Sequence, residues 1–590
     1  MTTSTVENTG LKVSTSKKSD NREHSIKDIF SAFHLSISIP SGIKDSQFFT
    51  QLSAYITFLA SRLGILVEKH YSTSHSEFTT LLLKQTLKQT LKQTLKQTDS
   101  ADKSVYVEML IPLSDTQGTY FSETVLQAIS GIMSVHCRNR DFLEPIGVDY
   151  VTLLTATQAL NGLLAQAFAQ VVKASASAPV SPKKITLSPL ACALLGVSQY
   201  IADATVEESF PLPENYNNIE RQPPFCSADN CFFELESMSP GPWKAFWQSL
   251  GIDATAAGKG WQAFQMRYAK AVSPVPEAMV KILQAMPFKD IQRLGEQSGL
   301  SIIKLQSPSD TLHSVHCQSL RENGPWAFSS WQRAGKTPNK TSDKTSDKKE
   351  PDNTPPQLSD SLPLTGIKIV ESCRRIQGPL ASHLLSLLGA EIVRIEPPGG
   401  DPLRGMPPTA NGCSVRFDAI NNTKRIVEVN IKSQHGQAQV KRIIENADVF
   451  LHNWAPHKAE ALSLAYADLS AENPQIIYSY ASGWANSSAQ QDEYYLAFPG
   501  TDFVVQAVSG IAATIAANSS NPQVRGGSLF TVLDTLGGAL SAQGIIAALL
   551  ARSLSGRSCY VETSLLGAET ALCNAHLDAF YKGQNSIKYL

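Results

Sequence analysis

Residues 366–397 read GIKIVESCRRIQGPLASHLLSLLGAEIVRIEP. The run divides into a short apolar strand (GIKIVES), a helix with apolar residues at helical spacing (QGPLASHLLSLLGA) and a second apolar strand (EIVRIEP). The alternation continues: KRIVEVNI (424–431), DVFLHNW (448–454) and PQIIYSYAS (474–482) read as strands, GQAQVKRIIENA (436–447) as a helix, and 497–515 and 530–552 as further helices. Short apolar strands separated by helices predict a parallel sheet covered on both faces, an α/β fold. Ligands of such sheets sit beyond the carboxyl ends of the strands. Those ends here read GPLAS, EPPGGDPLRG, NWAPHK and SGWAN, rich in glycine, proline and hydrogen-bond donors. No GxGxxG follows the first strand, which argues against a dinucleotide.

The most informative apolar run is SLFTVLDTLGGALSAQGIIAALLAR, Ser528 to Arg552. One acid, Asp534, lies in it, with Gly537 and Gly538 a turn on and Gly544 beyond. A glycine inside a helix costs about 1 kcal/mol against alanine, so three of them need a reason. Either another backbone packs close there, or a ligand lies along the helix beside a carboxylate. Asp534 itself is either the helix N-cap, accepting an amide hydrogen, or a reactive group. The stretch alone leaves both open.

Working outward, GKTPNKTSDKTSDKKEPDNTPPQLSDS is rich in Pro, Ser, Thr, Asp and Lys and marks a flexible linker, residues 334–362. It separates a C-terminal unit, 363–590, from an N-terminal region, 101–333. The two share a pattern: ETVLQAISGIM (123–133) resembles DFVVQAVSGIA (502–512), and TATQALNGLLAQAF (155–168) resembles GGALSAQGIIAALL (537–550). Gly162 then falls opposite Gly544 and Thr152 opposite Asp534, so the earlier copy lacks the acid. Residues 184–330 read as mixed α and β, with Trp243, Phe246, Trp247 and Trp261 at the helical spacings of a packed core. Residues 1–100 read as a polar, low-complexity extension that includes the tract LKQTLKQTLKQTLKQT, helical or disordered, alongside one amphipathic helix over 46–65.

Several function classes are disfavoured. Lys and Arg total 51 against 52 acids, giving a net charge of −1, so no electrostatic case exists for nucleic acid or an acidic membrane. The nine cysteines are scattered, and Cys226 and Cys231 lack the spacing of a zinc pair. His452 and His457 have no third ligand spaced for a metal. No signal peptide and no apolar run of about 18 residues is read, which predicts a cytoplasmic protein without a membrane partner.

Across 363–582 the blocks PLTGIKIVESCRRIQGPLASHLLSLLGAEIVRIEPPGGDPLRG, NNTKRIVEVNIKS, ADVFLHNWAP, NPQIIYSYASGW, GTDFVVQAVSGI, LDTLGGALSAQGIIAALLAR and GRSCYVETSLLGA resemble, in order and spacing, the family III CoA-transferases, the carnitine–CoA and formyl-CoA transferase group. The resemblance implies a Rossmann-like large domain, an acyl-CoA thioester and a carboxylic acid as substrates, no permanently bound cofactor and no metal. It implies that Asp534 is the nucleophile, passing through a mixed anhydride and an aspartyl-CoA thioester. It implies that CoA is held by Ile376, Gln377, Arg404, Val429, Lys432, Asn453, Trp454, Ala455, Gly483 and Trp484, and that the protein forms a homodimer.

The chain departs from the family pattern in four places. Gln377 stands one place later than the catalytic glutamine of the formyl-CoA enzymes. Thr501 replaces the histidine of the racemase branch, which argues against two-base proton transfer. ANSSAQQDEYY replaces a glycine-rich loop. The family's small domain does not follow the catalytic block, whereas 184–330 loosely resembles it and 105–170 resembles the catalytic helices without the acid. The chain thus reads as a rearranged fusion: a degenerate second half, a linker and an intact first half. The expected activity is CoA transfer between carboxylic acids. The alternatives are a catalytically silent CoA-binding or scaffold protein and, less supported, an acyl-CoA racemase or isomerase.

Overall fold

The structure is a computed structural model that describes residues 25–43, 46–72, 77–86, 104–175, 181–207, 211–312, 315–333, 362–485 and 498–581. Most of the LKQT tract, the linker up to residue 361 and most of the ANSSAQQDEYY loop lie outside the described residues.

The N-terminal region opens with a five-stranded sheet of β1 (His34–Pro40), β2 (Leu66–Ser72), β3 (Phe78–Thr86), β4 (Ser104–Pro112) and β5 (Lys183–Thr186), in the order β2-β1-β3-β4-β5. Every second residue of β4 is buried, the period of a strand with one face on a core. Residues 34–43, 46–72 and 77–86, grouped by sequence with the polar extension, are therefore folded, and the head of the leucine tract is strand rather than helix or coil. Extended backbone lets Leu81 and Leu83 point to one buried face, which a four-residue repeat hides when read at helical period. Two helices, Gln47–Leu63 and Tyr150–Ser175, cover that face.

A small lobe follows, with β6 (Phe225–Cys226), β7 (Phe232–Glu236) and β8 (Ser301–Lys304) forming an antiparallel sheet against four helices between residues 240 and 298. Trp243, Phe246, Trp247 and Phe264 form its separate apolar core, with Trp261 packed on the edge.

The C-terminal sheet contains β9 (Trp326–Arg333), β10 (Lys368–Ser372), β11 (Glu391–Glu396), then, after a two-residue ribbon of β12 (Thr409–Ala410) and β13 (Cys413–Ser414), β14 (Arg425–Glu428), β15 (Val449–His452), β16 (Ile477–Ser482) and β17 (Arg557–Ser564). Its order is β14-β11-β10-β15-β16-β17-β9. All neighbours are parallel except β9, which runs antiparallel to β17. Without β9 this is the Rossmann strand order, whose direction reverses between β10 and β15. The strands bury both faces: Ile369, Ile392, Val449 and Leu451 join the main core, whereas Val370, Val393, Phe450 and Tyr478 join a second cluster on the opposite face. Strand β9 lies before the linker in sequence, so the two sides of the linker share one sheet. The main core likewise runs without a break from Ile26 to Leu572.

The helix Val532–Ser555 is the spine of that core. It packs along the Tyr150–Ser175 helix, its counterpart in the sequence repeat, and along the helix Gln377–Leu387 and the strands β16 and β17. Gln543 Nε2 donates to the Thr157 carbonyl at 2.9 Å and to Asn161 Oδ1 at 3.1 Å, fixing the two long helices in register. Gly556, at φ +66°, ends the helix with its amide on the Arg552 carbonyl. This helix is long and apolar enough to cross a membrane, with a mean hydropathy of 1.4, which corrects the reading that no such run exists. Since 94% of that window is buried inside the protein, it passes the test as a core helix.

Candidate active site

Asp534 lies in the first turn of the Val532–Ser555 helix and is partly exposed. The N-cap position belongs to Thr531, whose side chain makes no capping bond, so Asp534 is not the cap. The helix start is capped from outside: the Asp534 amide donates to Oδ2 of Asp502 at 2.7 Å. Asp502 begins the neighbouring helix Asp502–Ser509 and is fully buried. Its other oxygen accepts from Gln506 Nε2, and Gln506 Oε1 accepts the Ser528 amide at 2.8 Å.

The earlier copy of the repeat builds the same bonds. Glu123 Oε2 accepts the Thr152 amide at 2.8 Å and the Thr152 hydroxyl at 2.6 Å. Gln127 Nε2 donates to Glu123 Oε1 at 2.7 Å, and Gln127 Oε1 accepts the Ile146 amide at 2.8 Å. An acid at the head of one helix caps the start of a long partner in both copies; only the second copy has a carboxylate at the capped position.

Gly537 and Gly538 make room for protein. A Cβ on Gly538 would lie 2.8 Å from the Gln377 carbonyl oxygen, and one on Gly537 would lie 3.1 Å from Gln377 Nε2. Close packing of the Gln377–Leu387 helix thus accounts for both glycines, and Trp326 of β9 accounts for Gly544. The contact brings the loop after β10 against the first turn that carries Asp534.

In that loop Arg375 takes a left-handed backbone, φ +63°, a conformation that a side chain with a Cβ rarely adopts. Its guanidinium lies over the Tyr268 ring, 5.1 Å from the centroid, with Nη2 3.2 Å from Met238 Sδ. Tyr268 donates its hydroxyl to buried Glu236 at 2.9 Å, and Thr501, next to Asp502, donates its own hydroxyl to the same carboxylate at 2.8 Å. The small lobe, which precedes the linker, therefore builds one wall around residues that follow it.

Burial pushes the Asp534 carboxyl up to about 8, the Asp502 carboxylate adds to this, and the Arg375 charge opposes it. Burial also raises Asp502, against the pull of its hydrogen-bond donors Gln506 and the Asp534 amide. For Arg375 burial works against the charge, but Tyr268, Glu236 and Asp534 outweigh it and hold the guanidinium above its ordinary value. Of the two raised carboxyls Asp502 has the better hydrogen-bond donors, so Asp534 keeps its proton to the higher pH.

The residues expected at CoA all stand at the carboxyl edge of the sheet. Ile376 and Gln377 follow β10, Asn453, Trp454 and Ala455 follow β15, and Gly483 and Trp484 follow β16, three adjacent strands that straddle the reversal point. Asn453 bridges the gap: its Oδ1 accepts the Arg374 amide at 2.9 Å and its Nδ2 donates to the Arg374 carbonyl at 2.7 Å. Gln377 is buried, with Nε2 3.2 Å from the Ser482 carbonyl oxygen. Trp454 packs on His452 at 4.8 Å, and Trp484 is buried with its indole N–H on the Phe498 carbonyl at 2.9 Å. Val429 is core, Lys432 and Ala455 are exposed, and a Cβ on Gly483 would run into the Gly500 backbone.

Arg404 has a side chain 34% exposed but is not a free charge. It holds Glu396 through Nε and Nη2, both at 2.8 Å. Glu396 belongs to a buried network in which Arg394 pairs with Glu371, Glu396 and Asp401, and Lys424 with Glu371 at 2.8 Å. His452 is buried and stacked on Tyr480, and burial lowers it to about 3, an ordinary core histidine. A pocket lined by His136, Arg140, Glu234, Phe503, Gln506 and Ser528 lies beside the Asp502–Ser509 helix and includes neither Asp534 nor any of the residues expected at CoA.

Sequence reasoning did not single out Arg375, Tyr268, Glu236 or Asp502. Asp502 carried a signal, since an acid heads both copies of the repeat. The other three meet only through packing between the small lobe and the C-terminal sheet.

A Rossmann-ordered sheet with a carboxylate at its ligand edge defines an α/β enzyme-like segment. Residues 364–588 match the family model for CoA-transferase family III, and that part of the chain is a segment of this kind. Over 229 residues the chain is 33% identical to the succinyl-CoA:glutarate CoA-transferase of Homo sapiens, covering 38% of this chain and 50% of that protein. Over 210 residues it is 29% identical to the acetyl-CoA:oxalate CoA-transferase of Acetobacter aceti, covering 35% of this chain and 52% of that protein. A crystal structure of a CAIB/BAIF family protein from Brucella suis is 27% identical with a TM-score of 0.34, covering 38% of this chain and 59% of that one. The chain spans about half the length of the curated relatives it matches.

Proposed function

We propose that this protein is an acyl-CoA:carboxylate CoA-transferase with Asp534 as nucleophile. A carboxylate oxygen of Asp534 attacks the thioester carbonyl carbon; the C–S bond breaks, CoA leaves as thiolate, and an acyl-aspartyl anhydride remains. The thiolate attacks the aspartyl carbonyl carbon, releasing the donor as its carboxylate and leaving an aspartyl-CoA thioester. The acceptor carboxylate and the thiolate then repeat the two exchanges in reverse, and Asp534 is regenerated. One difficult exchange is thus split into easier steps, as covalent catalysis does elsewhere.

The observation that carries this reading is a partly exposed carboxylate without a salt-bridge partner among the described residues, at the ligand edge of a Rossmann-ordered sheet, within a segment that matches the transferase family. The nucleophile must shed its proton first, and Arg375 favours this. CoA would lie along the loops after β10, β15 and β16, in contact with Ile376, Asn453, Trp454 and Ala455, with Lys432 as the exposed cation for a phosphate. Arg404 would serve indirectly, by holding Glu396 under the loop after β11.

The test is incubation with a panel of CoA thioesters, trapping with hydroxylamine, and mass spectrometry of the peptide containing Asp534. Adduct and acid-dependent transfer, both lost in Asp534→Ala by about 1,000-fold or more, are the expected results. Tight CoA binding with no adduct on any thioester would indicate a silent CoA-binding protein instead.

A further inference from the structure

We propose that Arg375 receives the carboxylate of the acceptor acid and holds it against Asp534, so that Arg375 determines specificity for a carboxylate acceptor. The inference rests on the transfer reading above and names the residue that would select its second substrate.

The geometry brackets Arg375 from two sides. Two residues on, Gln377 touches Gly537 and Gly538, one turn beyond Asp534. On the other side Tyr268, whose ring lies under the guanidinium, reaches Glu236, and Glu236 reaches Thr501, the neighbour of the residue that caps Asp534. Arg375 and Asp534 therefore border the same space. Yet among the described residues neither makes an ion pair within 4.0 Å with any other side chain.

Four other cations around this part of the structure behave differently. Arg394, Lys424 and Arg404 each hold carboxylates, and Arg267 of the small lobe holds Glu234. A half-buried cation that feels Glu236 and Asp534 but makes an ion pair with neither is costly to keep, and its backbone has been placed in a left-handed conformation as well. The Tyr268–Glu236–Thr501 chain fixes the ring beneath the guanidinium, and the Nη2 corner of the fork meets only the weak acceptor Met238 Sδ, a contact that an outside carboxylate can displace. A guanidinium fork matches a carboxylate in two parallel hydrogen bonds. It is thus suited to an acid that must bring one of its oxygens to the carbonyl carbon on Asp534.

The experiment compares wild type with Arg375→Ala and Arg375→Lys in three measurements. First, acetate, oxalate and glutarate are titrated calorimetrically, which reads carboxylate binding without turnover. Second, KM is measured separately for acid and for acyl-CoA. Third, hydroxylamine, an uncharged acceptor, replaces the acid. Arg375→Ala should weaken binding of at least one acid and raise its KM by 10-fold or more, with Arg375→Lys in between. The KM for acyl-CoA should stay within about 3-fold, and transfer to hydroxylamine, which still needs the ionised Asp534 that Arg375 favours, should fall at least 10-fold less than transfer to the acid. Unchanged binding of every acid that the wild type binds, an equal rise in both KM values, or equal loss of acid and hydroxylamine transfer would overturn the assignment. A wild type that binds acid through Arg375 but forms no adduct would sink the transfer reading and leave the acid site standing.

Discussion

The amide of Asp534 donates to Oδ2 of Asp502 at 2.7 Å, so the residue that caps the helix start at Asp534 also sets a negative charge against the Asp534 carboxyl. The cap favours the helix start, and the charge disfavours ionisation of Asp534. Removing the charge while keeping the shape separates the two effects. Wild-type acylation should rise with pH as Asp534 ionises around 8. In Asp502→Asn the rise should move to lower pH by about one unit, the usual scale for a nearby like charge. The pH dependence of kcat/KM for acyl-CoA is the measurement, and an unmoved profile would remove Asp502 from the account.

The same raised carboxyl makes a prediction about stability. Asp534 holds its proton in the folded protein at pH values where the unfolded chain, with an ordinary aspartate near 4, has released it. The folded state therefore binds more protons between those values, and stability falls as pH rises from about 4 to about 8. Asp534→Asn removes the Asp534 share of this dependence, while Asp502, also raised, keeps its own. The variant's melting temperature should match the wild type near pH 4 and exceed it increasingly up to pH 8, as followed by thermal melts across that range.

Gly538→Ala tests the helix contact behind the site. Alanine adds about 1 kcal/mol of helix preference, but its Cβ would meet the Gln377 carbonyl oxygen at 2.8 Å, and a backbone atom cannot swing away. Overpacking of this kind costs about 1–3 kcal/mol, so a net loss is expected in urea unfolding. A stabilised variant would show that the two helices are further apart.

Trp326→Ala tests the strand that crosses over from the other side of the linker. The indole N–H donates to the Leu540 carbonyl at 2.9 Å, and the ring fills the space over Gly544. Its loss should cost about 3–5 kcal/mol, measured by denaturant unfolding. Transfer activity per folded molecule should fall far less than in Asp534→Ala.

The strands between residues 366 and 482 were legible because they are short, apolar and separated by helices of clear period, and the carboxyl ends of β10, β15 and β16 followed from that; β17 was not read as a strand. Strand β9 was not legible: WAFSSWQR alternates too weakly to stand out, and its partner β17 lies across the linker. The repeat was legible through QAxSGI, because Gln127 and Gln506 make equivalent bonds and few residues can replace them. Arg375 was hidden for another reason. Its neighbour in sequence, Arg374, is exposed, and only the turn at φ +63° and a tyrosine from residue 268 distinguish the two. Gly537 and Gly538 read correctly as a close approach, but not as an approach by Gln377 in place of a ligand.

Strand β9 pairs Trp326 with Thr563 and Phe328 with Val561, which sets an order of events during synthesis. Among the described residues the ribosome delivers this edge strand of the C-terminal sheet first, and its neighbour in that sheet, β17, after the sheet's other strands. In the interval Trp326 and Phe328 have no sheet to join, so the nascent chain carries an open edge through translation of the whole Rossmann segment. Such edges invite pairing with other chains. Chaperone demand should therefore peak late, just before residues 557–564 clear the exit tunnel.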